Sequence, residues 1–153
     1  MADTMDRVTR SRVMGAICSS NTTPEIMVRR LLYKAGFRFR LHAKNLPGSP
    51  DIVLPKYGAV VFVHGCFWHG HDCPSFRLPK TRKMFWQNKI EKNQARDGLA
   101  ATTLRRDGWR VAVVWECALR GRGRIRPERM EKRLSAWVRG AKKRLEISGR
   151  AKP

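Results

Sequence analysis

Apolar residues along this chain fall into short periodic blocks separated by polar turns. Val8, Val13, Met14 and Ile17 alternate with Arg7, Arg10 and Arg12 over residues 4–17, the pattern of a short amphipathic helix with a basic face. The run Ser19 to Thr23 is polar and turn-like. Thr23-Pro24-Glu25 predicts a helix start: Thr as N-cap, Pro at the first position, an acid in the first turn. Met27, Val28, Leu31, Leu32 and Ala35 continue at helical spacing until Gly36 stops them. Phe37, Phe39 and Leu41 then alternate with Arg38 and Arg40, the period of a half-exposed strand. After the loop Leu46 to Pro50, Asp51 to Leu54 reads as a second strand and Pro55 to Gly58 as a turn. The unbroken apolar run Val60 to Val63 has the character of a strand buried on both faces.

The second half repeats the alternation of helix and strand. A helical stretch runs from about Arg82 to Arg106, with Gly98 as a candidate break and Gly108 as its end. Trp109 to Trp115 reads as another buried strand, and Cys117 lies just beyond it. Pro127 opens a helix with Met130, Leu134, Trp137 and Val138 on one side. From Arg139 onward the chain is basic and poor in apolar residues, so residues 139–153 are expected to be a mobile tail on a single domain spanning 1–138. There is no internal repeat. The order ααβββαβα predicts a mixed α/β domain with helices on a sheet.

Charge narrows the list of partners. Thirty-three Lys and Arg against twelve Asp and Glu give a net charge of +21, which costs self-repulsion that a polyanion relieves. Nucleic acid is the leading candidate, against a merely solvated basic surface. The first residues carry acids and lack an apolar stretch, and no run approaches the roughly 18 apolar residues of a membrane span. A cytosolic protein with no membrane partner is therefore expected. In that compartment clustered cysteines bind metal or do chemistry more often than they form disulfides.

The candidate chemistry concentrates immediately after Val63. Cys66, His71 and Cys73 place three soft ligands within eight residues, and Cys117 arrives from the end of another strand. Cys3His is a tetrahedral zinc set, although this spacing is not a common finger spacing. The bland alternative makes Cys117 an ordinary buried cysteine and His71 a loop residue. Glu25, Asp51, His64 and His69 form a second constellation. If the Asp51 and Val60 strands pair as a hairpin, Asp51 and His64 meet at one sheet edge, where oxygen ligands suit Mg²⁺ and a neutral histidine can deprotonate water. Singly, Glu25 reads as a helix-start acid, Asp51 as a turn residue and His64 as structural. Phe67 and Trp68 sit inside the polar His/Cys loop and Trp86 in a basic stretch, which suits wedging between base pairs or a satellite core around zinc. Trp109, Trp115 and Trp137 fit the core.

His64-Gly-Cys-Phe-Trp-His69-x-His71-x-Cys73, Thr9-Arg-Ser11, Pro50-Asp51 and Val114-Trp-Glu-Cys-Ala-Leu119 together resemble the very-short-patch repair endonucleases, over roughly residues 2–138. The resemblance implies a restriction-endonuclease-like mixed β-sheet flanked by helices, with a zinc-stabilised loop. It implies a Mg²⁺-dependent, strand-specific nick on the 5′ side of the thymine in T·G mismatches left by deaminated 5-methylcytosine. Asp51 would be the main Mg²⁺ ligand with the backbone carbonyl of Val63, two ions being expected. His69 would be the general base, Glu25 and His64 would support metal-bound waters, and Asp97 would orient a histidine. Cys66, His71, Cys73 and Cys117 would hold structural Zn²⁺. Phe67, Trp68 and Trp86 would intercalate beside the mismatch, while Met14 and the helix within residues 1–18 contact the other groove. The implied enzyme is a monomer acting on double-stranded DNA in the bacterial cytoplasm, with mismatch-repair proteins as further partners. Val63 departs from the threonine of the family pattern, and Phe62-x-His64 stands where restriction-type nucleases carry a catalytic lysine. A non-catalytic zinc DNA-binding module and a nuclease with another substrate are the competing readings.

Overall fold

A computed structural model of the chain describes residues 21–74 and 76–150. The helix expected over residues 4–17, with Met14 and the Thr9-Arg-Ser11 motif, lies outside the described residues, as does Cys18. Helix α1 (Thr23–Lys34) starts one residue earlier than the composition suggested, because Thr22 rather than Thr23 caps it, its side-chain oxygen accepting the Glu25 N–H at 3.3 Å. Val28 and Leu32 turn one face of α1 into the core.

Five strands follow the order β1 (Arg40–Leu41), β2 (Ile52–Leu54), β3 (Ala59–His64), β4 (Arg110–Trp115) and β5 (Arg144–Ile147) across one sheet. The alternating stretch Phe37 to Leu41 contributes only its last two residues to the ladder. Phe37 instead fills the core, 5.4 Å from the Tyr57 ring. β2 and β3 form the expected hairpin, with Val53 opposite Val60 and Gly58 in the left-handed conformation at the turn (φ 59°). β3 and β4 run parallel, so a crossover must join them. Helix α2 (Lys83–Arg106) is that crossover, and it runs unbroken through Gly98.

Alternation along the strands sends side chains to two separate layers. Val61 and Val63 of β3, with Ala112 and Val114 of β4, face a core shared with α1 and with helix α4 (Pro127–Arg139), whose Met130, Leu134, Trp137 and Val138 are buried. Val60 and Phe62, with Val111 and Val113, face the smaller core under α2 and Leu104. His64 continues the second set, so it reaches the α2 side of the sheet just where β3 ends. A four-residue helix α3 (Glu116–Leu119) follows β4 and carries Cys117.

The mobile tail expected after Arg139 is corrected by β5. Arg144 to Ile147 pairs parallel to β4, with Val114 opposite Ile147, and Ile147 is fully buried. Apolar content is low here because only Ile147 is fully buried, with Leu145 packed partly against the same core. What holds the strand is the row of backbone N–H and C=O groups on the edge of β4.

Candidate active site and metal centre

The loop after β3 folds into a tight turn before α2. The His69 N–H donates to the Gly65 carbonyl (3.2 Å) and the His71 N–H to the Cys66 carbonyl (2.9 Å). Gly70 sits at φ 59°, and a Cβ there would lie 2.5 Å from both the Ile90 Cγ2 and the Gln94 Nε2 atoms. Glycine is thus required for conformation and for space. Asn93 of α2 donates to the Trp68 carbonyl at 2.8 Å, and Gln94 donates to the carbonyls of His69 and Gly70.

That turn gathers Cys66, His71, Cys73 and Cys117, whose ligand atoms all lie within 4.8 Å of one another. His71 Nδ1 is 3.6 Å from Cys66 Sγ and 3.5 Å from Cys117 Sγ. Tetrahedral bonds of about 2.3 Å to sulfur and about 2.0 Å to nitrogen put those atoms about 3.5 Å apart, so the set can hold a metal ion of zinc's size and softness. Burial pushes the thiols of Cys66 and Cys117 up; the Cys117 and Cys73 side chains raise Cys66 further, while Cys117 is raised by Cys73 and partly relieved by the Gly149 N–H and by Cys66. Thiols so crowded lose their protons readily only to a cation among them.

A cleft of about 1090 Å³ opens beside this centre, and Glu25, Asp51, Val63, His64, His69 and Asp97 all border it. Asp51 lies just before β2, and its Oδ2 accepts the Val63 N–H at 2.7 Å. Burial pushes its carboxyl up to about 6, partly offset by that hydrogen bond and reinforced by the negative charge of Glu25. Glu25 is 2% exposed, and its Oε2 accepts from the Asn21 N–H and from Arg29 Nη2, each at 3.0 Å. His42 Nε2 lies 3.0 Å from the same oxygen. Ligand atoms of Glu25, His42 and Asp51 fall within 4.8 Å of one another, a group able to hold a divalent cation.

The histidines border the same cleft. His64 and His69 stack face to face, with centroids 3.9 Å apart and planes 5° from parallel. Burial, then the proximity of His69, pulls the His64 imidazole down to about 4, so it is neutral at neutral pH. The Asp97 carboxylate hydrogen-bonds His69 Nδ1. A carboxylate there keeps the proton on Nδ1 and leaves Nε2 as the basic nitrogen. Phe67, Trp68 and Trp86 pack edge to face at 5.2–5.8 Å and stay half-buried; next to them Phe85 is 43% and Met84 68% exposed. They are at once a small apolar cluster and an open one.

Of the residues singled out in the sequence, all but Met14 therefore fall around this one region. His42, Arg29 and Glu146 did not stand out. His42 follows β1 at φ 46°, and its N–H donates to the Asp51 carbonyl (3.2 Å); only strand pairing brings it to Glu25. Trp115, expected in the core, is half-buried and stacks on His71 at 4.0 Å with its edge to His64.

Comparison with known proteins places the chain among relatives. The family model described as DNA mismatch endonuclease Vsr matches residues 2–75. The chain is 44% identical to the DNA mismatch endonuclease Vsr of Escherichia coli K12 over 151 residues, 97% of each chain. It is 51% identical over 125 residues to the type II nicking enzyme V.XorIIP of Xanthomonas oryzae pv. oryzae, covering 82% of this chain and 92% of the relative. It is also 45% identical over 142 residues to the type II nicking enzyme V.NmeAIP of Neisseria meningitidis, covering 93% and 98%. With near full-length identity added to a cleft of carboxylates and paired histidines, the chain belongs to the Vsr family of DNA mismatch endonucleases.

Proposed function

We propose that the protein recognises T·G mismatches in double-stranded DNA and nicks one strand on the 5′ side of the thymine, with Mg²⁺ at Asp51. The convergence of Asp51 and the Asp97-held His69 on one cleft beside an aromatic cluster carries this reading. The donor set fits a hard cation: burial and the charge of Glu25 raise the proton affinity of Asp51, and the Val63 carbonyl lies at the same strand end. Bound there, Mg²⁺ supplies charge neutralisation at the scissile phosphate and acidifies a water.

The rest is done by the chain. Lys89 and Arg120 border the cleft and hold phosphates, so affinity falls steeply with salt. Phe67, Trp68 and Trp86 enter the weakly stacked mismatch, which costs less to open than a matched step. His69 Nε2 takes the proton of the attacking water while Asp97 holds Nδ1. His64, neutral beneath it, keeps the ring in plane, and His64 and Glu25 hold neighbouring waters. The phosphodiester opens to a 5′-phosphate and a 3′-hydroxyl. Zinc on Cys66, His71, Cys73 and Cys117 fixes the loop. The open mixed sheet with helices on both faces supports a restriction-endonuclease-like assignment, with histidine chemistry in place of the lysine. Asp51, His64, His69 and Asp97, the residues proposed for the chemistry, come together within one chain, a reading that suits a monomer. Among the described residues no helix is long and apolar enough to cross a membrane.

Labelled duplexes carrying T·G, C·G or T·A at one position, incubated with Mg²⁺, test the proposal. Only the T·G duplex should be nicked, and Asp51→Ala should bind it without nicking. Equal cutting of all three duplexes defeats the substrate assignment; wild-type nicking by Asp51→Ala defeats the assigned centre.

A further inference from the structure

The strand that replaces the expected tail makes contacts beyond its ladder. Glu146 Oε1 accepts the indole N–H of Trp115 at 2.8 Å. The face of Trp115 lies 4.0 Å from the His71 ring, 5° from parallel, and His71 aims Nδ1 at Cys66 and Cys117. Three residues on, the Gly149 N–H donates to Cys117 Sγ at 3.2 Å. A Cβ on Gly149 would sit 2.3 Å from the Cys117 carbonyl oxygen, so only glycine allows that approach. The segment is fixed on both sides of the contact: Ile147 is fully buried, and the Arg150 N–H donates to the Gly123 carbonyl at 2.8 Å.

We propose that residues 144–150 are the outer shell of the four-ligand centre, with Gly149 and Glu146 as positioning residues for Cys117 and His71. This rests on the zinc assignment above. An N–H donated to a thiolate spreads its charge and slows its protonation and departure from the metal, and a stacked, anchored indole stops the imidazole from turning. The consequence reaches the chemistry through the covalent chain. His69 lies two residues from His71, and Phe67 adjoins Cys66, so an edge strand far along the sequence sets the rigidity of the catalytic loop.

The test combines zinc stoichiometry of the purified protein, the rate of zinc release to a colorimetric chelator, and the thiolate-to-cobalt absorption band after Co²⁺ exchange. Gly149→Ala is expected to release zinc about 10- to 100-fold faster and to shift the band. Glu146→Ala should speed release by less. Glu146→Gln, which keeps an oxygen acceptor for the indole, should restore retention, a rescue that general loosening of the tail would not produce. Nicking kcat should fall with zinc retention while KM for the duplex stays put. If Gly149→Ala does not fold, the Glu146→Ala and Glu146→Gln pair carries the same comparison. Folded variants that retain zinc like the wild type with an unshifted band overturn the proposal, as does Glu146→Gln behaving like Glu146→Ala. A wild-type protein with no zinc overturns the metal assignment itself, a result distinct from unchanged release.

Discussion

Asp51→Asn separates what the carboxylate does for chemistry from what it costs the fold. Asn Oδ1 can still accept the Val63 N–H, so the hairpin contact survives. The negative charge is removed from beside Glu25. In the wild type, burial lifts the Asp51 carboxyl from 3.8 to about 6. The folded chain thus binds this proton more tightly than the unfolded chain, and stability falls as pH rises from about 4 to about 6. At about 1.4 kcal/mol per pH unit the full penalty above pH 7 is about 3 kcal/mol, and water at the cleft mouth reduces it to about 1–2 kcal/mol. The asparagine variant is therefore expected to be more stable by that amount at pH 7.5, to lose the advantage near pH 4, and to nick nothing. Urea unfolding of both proteins across this range, without added Mg²⁺ and without chelator so that the thiolate centre stays intact, measures the difference. Adding Mg²⁺ at about 10 mM should stabilise the wild type alone and narrow the gap. Parallel pH profiles, or an asparagine variant less stable at pH 7.5, would refute the reasoning.

Asp97→Asn should lower nicking kcat about a hundredfold or more with little change in KM, because an amide can donate to His69 Nδ1 and move the proton to Nε2; single-turnover nicking reads this directly. Two glycines should respond oppositely to alanine in thermal melts. Gly70→Ala, whose Cβ meets Ile90 and Gln94 at 2.5 Å, should lose about 1–3 kcal/mol, while Gly98→Ala, whose Cβ meets nothing within 4 Å, should gain about 0.5–1 kcal/mol. Val63→Thr should keep nicking, since the proposed role belongs to the carbonyl, yet lose about 1–2 kcal/mol in urea unfolding by placing a hydroxyl in the core shared with α1; loss of nicking in a folded variant would refute it.

Much of the site was legible because local composition carried it. Val60 to Val63 announced a buried strand, and the ligands pack so densely after it that one turn gathers Cys66, His71 and Cys73. The hairpin was legible from Tyr57 and Gly58, and with it the approach of Asp51 to His64. Other partners are set by pairing between distant strands, which leaves no periodic trace. His42 meets Glu25 only because β1 lies beside β2, and Glu146 meets Trp115 only because β5 lies beside β4. The Arg144 to Ile147 strand was misread as mobile because its ladder uses backbone groups and fully buries one side chain. Gly98 was a false break: helix α2 keeps Ala101 and Leu104 in contact with the sheet, and that packing outweighs the propensity cost of one exposed glycine.

Glu25 illustrates why weighing residues one at a time misleads here. It is a helix-start acid, with the Asn21 N–H on its carboxylate, and it also lies within ligand distance of Asp51. The interleaving in the loop has a similar logic. A turn held by its own apolar core would have to bury Phe67 and Trp68 to exist. Held instead, as proposed, by three sulfurs and an imidazole on a metal ion, it can leave both half-exposed beside Trp86, with His69 between two of the proposed ligands and hydrogen-bonded to Asp97. On the proposed reading, thiolate ligation in place of hydrophobic burial lets one short turn carry the proposed base and the proposed apolar wedge together, on a protein whose +21 charge favours a polyanion.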